Sequence, residues 1–351
     1  MTEEKHRKFN VIIGNPPFQE TLKGTSDKQI FPYFMDDAYK IGEKVELITP
    51  AKFLSNAGKT PKKWNEKMLN DPHLKVLFFE QDSSKVFENT DIKGGVCVTY
   101  RDISKTLGPI GTFSPFKELR SILHKVVYNK SITFKSITTI IHLQNKFNLT
   151  ALYADHPELK KQVGSNGREK RLTTSIFSLP VFTDKENITS TVKIWGIINN
   201  NVRKYRFIDE KYLDPDSTLH YYKVLIPKSN GSGALGETLS TPLIGTPLIG
   251  TPLVGYTQSF IGIGKFNQKV DCQNAFKYIK SKFCRVMLGT LKVTQDNNKG
   301  TWKNVPMQDF TDKSDIDWTK SIPEIDQQLY KKYNLSDDEI AFIEKNVKEM
   351  K

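Results

Sequence analysis

A run of four residues, Asn15-Pro16-Pro17-Phe18, has groups that could act on a nucleobase. The amide oxygen of Asn15 and the carbonyl oxygen of Pro16 are hydrogen-bond acceptors, and a proline has no N–H of its own. Two acceptors in fixed positions would bind both N–H groups of an exocyclic amine and favour a pyramidal, more nucleophilic nitrogen. Phe18 could stack on the face of a base that has been taken out of a duplex. The alternative is a proline-rich turn whose phenylalanine belongs to the core.

The residues before this run predict the element that positions it. Phe9–Ile13 is short, apolar and rich in β-branched residues, which is typical of a buried strand. Gly14 is expected to allow a sharp turn, and the two prolines restrict the backbone around them. The sequence therefore predicts a stiff loop at the carboxyl end of a strand, where open α/β sheets place their active sites.

Strand-like and helix-like segments alternate over residues 9–106. A helix is predicted to begin near Pro32. Its buried face is expected to carry Phe34, Ala38 and Ile41. Further candidates are strands at Val45–Thr49, Lys75–Phe79 and Val96–Tyr100, and a helix that starts at Thr60-Pro61. Because strands separated by helices imply a doubly wound sheet, the fold class of this region is predicted to be α/β.

A strand followed by Asn-Pro-Pro-Phe resembles motif IV of the amino-group DNA methyltransferases, and the phenylalanine is typical of their adenine-N6 enzymes. The predicted helix after the loop resembles motif V, and Glu46–Leu54 resembles motif VI. Phe78–Phe87 and Gly94–Tyr100 are similar to motifs VII and VIII. Together these segments resemble adenine-N6-specific methylases of restriction–modification systems in which the recognition domain follows the catalytic domain. The resemblance implies that Asn15 borders the cofactor, S-adenosyl-L-methionine, and that the catalytic residues are Asn15, Pro16, Pro17 and Phe18.

The sequence has no clear counterpart of the segment that binds this cofactor in the resembling enzymes. In those enzymes a glycine-rich turn after a first strand, and an acidic residue at the end of the next strand, precede the Asn-Pro-Pro-Phe strand. Only eight residues stand before Phe9. Gly262-Ile263-Gly264 and Gly231-Ser232-Gly233 lack the acidic partner and are predicted to be turn or loop glycines. The chain is therefore expected to be a truncated or split enzyme whose first strand is an exposed edge, open to a second chain that carries the cofactor half or an endonuclease.

The resemblance and the sequence pattern together divide the chain. Residues 1–106 are expected to be the C-terminal half of a methyltransferase catalytic domain, and residues 107–130 a linker helix. Residues 131–320 are expected to form an α+β target-recognition domain, and residues 321–351 a helical tail with a capping box at Ser336. The elements predicted in the recognition domain are strands at Phe177–Phe182, Val192–Ile198 and Tyr221–Pro227 and an amphipathic helix over Ala275–Leu288.

The charge of the chain favours a polyanionic partner. The sequence has 52 Lys and Arg against 39 Asp and Glu, for a net charge of +13. Such a surplus suits double-stranded DNA. Residues 256–345 also resemble the closing part of target-recognition domains in the same methylase group. Phosphate contacts and a solvated basic surface remain open for the clustered residues Arg168, Lys170, Arg171, Arg203, Lys204 and Arg206.

The sequence does not favour a metal site, a disulfide framework or a membrane span. Cys97, Cys272 and Cys284 have neither a metal spacing nor an even disulfide number, which fits a reducing cytoplasm. No membrane span is expected, because no apolar run approaches ~18 residues. The carboxylates around Asp155 are too close together for the metal site of a nuclease. The repeat Thr-Pro-Leu-Ile/Val-Gly, which begins at Thr241, is predicted to be a chain of turns.

The sequence thus predicts site-specific adenine-N6 methylation of DNA in a restriction–modification system, with methyl transferred from S-adenosyl-L-methionine to a flipped adenine. The alternative is a non-catalytic DNA-recognition subunit of a restriction–modification complex.

Overall fold

The computed structural model describes residues 8–20, 28–55, 60–88, 92, 94–129, 131, 133–163, 169–185, 191–198, 202–215, 218–231, 234–239, 248–292 and 294–350. Contacts divide the chain into two compact units, unit 1 (Met1–His124) and unit 2 (Lys125–Lys351). Helices and strands occur in both units, so the chain is of mixed α/β class. The finer division into a half catalytic domain, a linker, a recognition domain and a tail stays a prediction.

Unit 1 contains the strands and helices that the alternating pattern predicts. Its strands are β1 (Phe9–Gly14), β2 (Gln19–Glu20), β3 (Lys28–Gln29), β4 (Gly42–Pro50), β5 (Leu74–Glu80) and β6 (Val96–Asp102). Its helices are α1 (Phe31–Ile41), α2 (Lys62–Asn70) and α3 (Lys117–Val126), the last of which runs past the unit boundary.

The main sheet of unit 1 has the strand order β1-β4-β6-β5. β1 and β4 are parallel, with Gly14 beside Leu47, whereas β6 is antiparallel to both of its neighbours. The antiparallel step follows from the connection between β5 and β6, whose described part contains one short 3-10 turn, Ser83–Lys85, and no crossover helix. The sheet is therefore mixed, and the specific methyltransferase layout stays a prediction.

Helix α1 buries a different face from the one that the sequence pattern predicted. Phe31, Met35 and Tyr39 pack in the core, whereas Phe34 and Ile41 are exposed. Both sets have helical spacing, so the sequence could not distinguish them. The sheet decides which stripe is buried, because the cluster that receives α1 includes Val45 and Leu47 of β4.

The described part of unit 2 contains seven strands, three of which have only two or three residues. They are β7 (Ile141–His142), β8 (Thr191–Ile197), β9 (Arg203–Asp209), β10 (Tyr222–Pro227), β11 (Leu248–Gly250), β12 (Val254–Tyr256) and β13 (Phe260–Phe266). The helices of unit 2 are α4 (Leu149–Asp155), α5 (Lys269–Lys280), α6 (Lys282–Gly289), α7 (Ile322–Lys332) and α8 (Asp337–Asn346). One sheet has the order β11-β10-β13-β7 and another the order β12-β8-β9.

The structure corrects three predictions in unit 2. The segment predicted as a strand at Phe177–Phe182 begins within a 3-10 turn, Thr174–Ser178. The helix predicted over Ala275–Leu288 is broken at Ser281, whose hydroxyl accepts a hydrogen bond from the Cys284 N–H and caps α6. Part of the pentapeptide repeat is strand β11 rather than a turn, because it pairs with β10; residues 241–247 lie outside the described residues.

The tail of the chain agrees with its sequence signals. Helices α7 and α8 both begin with capping boxes, at Ser321 and at the predicted Ser336. Among the described residues, the helices are too short or too polar to cross a membrane.

Candidate active site

The segment of residues 15–18, here called the 15–18 loop, follows β1 without regular secondary structure. Asn15 and Pro17 are exposed, and Pro16 and Phe18 are half-buried. The Asn15 side chain makes no hydrogen bond within the described part of the chain, so its amide can accept one from a ligand. The Asn15 acceptor that the sequence predicts therefore lies at the surface, next to the half-buried Pro16.

Two contacts anchor the far end of this loop. The carbonyl oxygen of Phe18 accepts hydrogen bonds from the backbone N–H groups of Ile30 (3.1 Å) and Phe31 (3.4 Å), where α1 begins. The ring of Phe18 meets the ring of Phe87 edge to face, with 6.1 Å between centroids and an interplanar angle of 67°. Phe18 is consequently held by its backbone and by its ring, while Asn15 stays accessible.

Gly14 does not have the role that the sequence predicted. It belongs to β1 and pairs with Leu47, and its φ lies outside the left-handed region. A Cβ at this position would meet the Leu47 side chain at 3.5 Å, which is an ordinary contact. The chain therefore leaves the strand without a glycine-specific turn, and the expectation of a sharp turn was wrong.

Several segments of unit 1 meet at the edge of the sheet that carries the 15–18 loop. β1, β4 and β5 run in the same direction, so their carboxyl ends lie at one edge. Gly95 lies at this edge, directly before β6. The position requires glycine, because its φ of +78° is left-handed and a Cβ would lie 2.3 Å from the Glu80 carbonyl oxygen. Its own carbonyl oxygen accepts a hydrogen bond (2.9 Å) from the Ala51 N–H, directly after β4.

Sequence reasoning did not single out two residues at this edge. Phe87 supports Phe18, and its only signal was that it ends the segment that resembles motif VII. Asp82 accepts hydrogen bonds from the hydroxyl (2.6 Å) and the backbone N–H (3.1 Å) of Ser84. These bonds lower the pKa of Asp82, so the edge carries an ionised carboxylate at neutral pH.

The candidate glycine pattern does not fit the cofactor. Gly262 and Gly264 lie inside strand β13, and no helix begins directly after them. A Cβ on Gly262 would lie 2.4 Å from the Tyr256 hydroxyl oxygen, so packing explains that glycine. Gly231 has a φ of +61°, and residues 232–233 lie outside the described residues. Among the described residues, these glycines therefore do not form the kind of turn that the resemblance predicts for S-adenosyl-L-methionine.

The clustered basic residues, for which the sequence left phosphate contacts and a solvated surface open, lie on different parts of unit 2. Lys204 and Arg206 alternate along β9 and point to one face of its sheet, while Arg203 points to the other face, with its guanidinium 4.6 Å from the Phe260 ring centroid. Lys170 and Arg171 are exposed on a connecting segment. Arg168 lies outside the described residues.

Comparisons with known proteins show what the N-terminal segment is similar to. Residues 1–87 match the family model described as Eco57I restriction-modification methylase. The matched segment contains β1, the 15–18 loop and β5. The predicted resemblance to adenine-specific methylases of restriction–modification systems is thus confirmed for this segment.

A curated relative has a corresponding description. An uncharacterized adenine-specific methylase of Mycoplasma pneumoniae (strain ATCC 29342 / M129 / Subtype 1) is 35% identical over 95 residues, which are 26% of this chain and 22% of the relative. The chain thus spans about a fifth of the length of this relative.

A solved structure also aligns with the chain. The Type IIL restriction–modification enzyme MmeI, determined in complex with DNA, aligns over 96% of this chain and 56% of its own, with a TM-score of 0.35 and 11% identity. A likeness at this level defines neither the fold nor the function of the chain.

Proposed function

We propose that this chain is the base-binding and DNA-recognition part of a site-specific adenine-N6 DNA methyltransferase of a restriction–modification system. The observation that carries the proposal is the exposed 15–18 loop at the carboxyl end of the parallel strand β1, inside the segment that matches the methylase family. The substrate is an adenine taken out of double-stranded DNA. S-adenosyl-L-methionine supplies the methyl group.

The residues of the 15–18 loop have distinct roles in this proposal. The side-chain oxygen of Asn15 and the carbonyl oxygen of Pro16 accept the two N–H groups of the adenine amine. Both acceptors stabilise the positive charge that develops on this nitrogen during methylation. Pro17 restricts the backbone between the acceptors and Phe18, so little reorganisation is needed. Phe18 stacks on the base, and Phe87 fixes its ring orientation.

The proposal includes a second polypeptide that binds the cofactor, and the edge of the sheet supports this part. β1 pairs with β4 on one side and has no strand partner on its other side among the described residues. Phe9, Val11 and Ile13 are 44%, 55% and 76% exposed. Parallel strands with apolar side chains normally lie inside a sheet, and proteins normally protect a free edge. A further parallel strand from another polypeptide would pair with β1.

An exposed apolar face of the same sheet also supports a second polypeptide. Helices α1 and α2 cover the face that carries Val45 and Leu47. On the opposite face, the register places Ile13 of β1, Ile48 of β4 and the 45%-exposed Phe78 of β5 on one side of the sheet, all of them at least partly exposed. A partner that adds a strand beside β1 and a layer over this face would bury the apolar surface.

Methyl transfer by a reconstituted pair tests the function. The chain is co-expressed with the product of a neighbouring reading frame that encodes a glycine-rich cofactor half, and transfer of labelled methyl from S-adenosyl-L-methionine to duplex DNA is measured. Asn15→Ala should reduce kcat by at least about 100-fold, because a preorganised hydrogen-bond acceptor is lost. Duplex binding should be nearly unchanged.

Asn10→Ala is the matched control, because Asn10 is also an exposed asparagine but lies near the start of β1. It should transfer methyl at the wild-type rate. Full activity of Asn15→Ala would overturn the assigned site. Saturable, tight binding of S-adenosyl-L-methionine to the isolated chain, measured by titration calorimetry, would overturn the need for a second polypeptide. Duplex binding without methyl transfer by any reconstituted pair would favour the non-catalytic recognition subunit.

A further inference from the structure

A groove on unit 2 combines cationic and hydroxyl groups. It has a volume of 590 Å³ and lies between the 3-10 turn Thr174–Ser178 and the β8–β9 pair. We call it the basic groove and define it by the lining residues Lys204, Arg206, Asp184, Thr173, Ser175 and Gln258. Its polar lining consists of the side-chain types that donate hydrogen bonds to phosphate oxygens, apart from Asp184.

Close packing holds the two walls of the groove together. Arg206 Nη1 donates a hydrogen bond (2.6 Å) to the Phe177 carbonyl oxygen, which ties β9 to the 3-10 turn. The Phe177 ring lies so close to Gly196 of β8 that a Cβ there would be 2.4 Å from a ring carbon. The backbone N–H of Gln258 donates a hydrogen bond (2.8 Å) to the Leu172 carbonyl oxygen, just before Thr173. The groove therefore has a fixed shape before any ligand binds.

Among the described residues that line this groove, Asp184 is the one carboxylate, and it lies beside the two cations. Asp184 Oδ1 lies 2.7 Å from Lys204 Nζ and 3.2 Å from Arg206 Nε. Two backbone hydrogen bonds between Thr183 and Phe207, each 2.9 Å long, place the aspartate beside β9. The hydrogen bond from Lys204, together with the charge of Arg206, lowers the pKa of Asp184, so it is ionised at neutral pH.

The cations keep capacity for a second acceptor. An ammonium group has three donors and a guanidinium has five, and the contacts with Asp184 and Phe177 use only part of them. The Lys204 side chain is 42% exposed and that of Arg206 is 23% exposed. One carboxylate against two cations leaves a net charge of +1 at this point, from the residues Lys204, Arg206 and Asp184.

A larger cavity in unit 2 has the opposite character. It has a volume of 1640 Å³ beside helix α5, and Asp271, Asp312, Asp315 and Asp317 are among its lining residues. The nearby charges of Asp312 and Asp309 add to burial in raising the pKa of Asp271. Three lysines, Lys277, Lys280 and Lys320, also line this cavity, so its lining has a net charge of −1, and volume alone does not identify a nucleic-acid site.

We propose that the basic groove binds a backbone phosphate of duplex DNA, and that Asp184 is an internal counter-ion with which this phosphate competes. The inference rests on the proposed function, since it assumes DNA as the partner. Lys204 and Arg206 donate to the phosphate oxygens, while the hydroxyl groups of Thr173 and Ser175 complete the contact. Because Asp184 neutralises part of the cationic charge, the affinity is lower than the two cations alone would give.

Duplex binding as a function of salt concentration tests this proposal on the full chain. Lys204→Gln should weaken binding of a fluorescently labelled duplex several-fold at low salt. It should also reduce the slope of log affinity against log salt by about 1, as expected for one lost phosphate contact. Asp184→Asn should do the opposite, with several-fold tighter binding and a steeper slope, because both cations are released. A merely structural ion pair would not produce that gain.

Lys211→Gln is the matched control, because Lys211 forms a similar exposed pair with Asp155 (2.7 Å) in the same unit but outside the groove. It should bind DNA like the wild type. Thermal melting verifies that each variant folds, and exposed pairs of this kind contribute little to stability.

Four results would overturn the groove assignment. These are unchanged or weaker binding by Asp184→Asn, equal losses in Lys204→Gln and Lys211→Gln, a change in sequence preference rather than in overall affinity, and displacement of DNA by inorganic phosphate at equal phosphate concentration. Each can occur while the reconstituted enzyme still methylates DNA. The assignment of the groove as a phosphate site can therefore be wrong while the proposed function is right. Conversely, a chain that binds DNA through the groove but transfers no methyl group would show that the proposed function is wrong while the groove assignment is right.

Discussion

Strands β1 and β13 have similar apolar sequences and very different surroundings. In β1 of unit 1, Val11 and Ile13 are more than half exposed. In β13 of unit 2, Ile261 and Ile263 are completely buried. Strand β13 has β10 and β7 as neighbours, and helix α5 packs against it, whereas β1 has a single strand neighbour among the described residues. The contrast indicates that unit 2 completes its own core around β13, and that unit 1 leaves its first strand for another element to cover.

The largest expected effect is on the stability of unit 2, for a substitution in the buried strand β13. Ile261→Lys should destabilise unit 2 by more than about 4 kcal/mol, because an ammonium group would be placed in a dry core without a partner. Urea unfolding of the full chain, followed by circular dichroism, measures the loss. Ile261→Val should cost only about 1 kcal/mol. Cooperative unfolding of the lysine variant at the wild-type urea concentration would contradict the picture of a complete core.

An intermediate effect is expected from the buried carboxyl group of Asp326 on α7. Its oxygens accept hydrogen bonds from the backbone N–H groups of Lys282 (3.0 Å) and Phe283 (2.9 Å) at the start of α6. Burial raises the pKa of Asp326 to about 6 from its ordinary value of 3.8. The folded state therefore binds more protons than the unfolded state between these two values, and this group lowers stability as the pH rises through that window.

Asp326→Asn should remove this pH dependence. The variant loses one acceptor, so it should be less stable than the wild type at pH values of about 4 to 4.5. Its relative stability should improve by roughly 2 kcal/mol as the pH rises to about 7, since one pKa unit corresponds to about 1.4 kcal/mol and part of the window lies below the starting pH. Measuring the free energy of unfolding of both proteins across this pH range tests the prediction. A constant difference between them would show that Asp326 does not titrate in this window.

The smallest effect on the chain itself is expected at the exposed edge. Ile13→Lys should change the free energy of unfolding by no more than about 0.5 kcal/mol, because the side chain is 76% exposed. The same change should abolish assembly with the cofactor polypeptide, since a charged residue on an edge strand opposes further strand pairing. Co-purification of the two polypeptides measures the second effect. Normal assembly of the lysine variant would contradict the proposed docking edge.

Much of unit 1 could be predicted from local sequence, but the buried side of its first helix could not. The β-branched run before Asn15 and the glycines and prolines at element ends identify β1, α1, β4 and β5. For α1, two apolar stripes of equal spacing compete, and only the contact with the sheet selects Phe31 and Met35 over Phe34. The break at Ser281 was missed for a related reason, because the apolar pattern continues across it while the serine hydroxyl caps a new helix.

The two candidate sites also differ in whether local sequence could reveal them. The 15–18 loop could be located from local sequence, because an asparagine and two prolines directly follow a strand-like run and resemble a methylase motif. The basic groove could not, since Asp184, Lys204 and Thr173 come from separate segments that strand pairing and the Phe177–Gly196 contact bring together. Charge counting identified the basic residues but not the carboxylate that pairs with two of them.

The sequence alone predicted strands β1, β4, β5, β6, β8 and β10 of this protein and the position of the four-residue loop after β1, because those features depend on neighbours within a few positions. Only the tertiary structure decided which apolar stripe of α1 is buried, that β6 returns antiparallel, and that Lys204 and Arg206 share one aspartate. These features depend on which distant segments pair, and the free energy of that pairing comes from burial and hydrogen bonding that no short stretch of sequence contains.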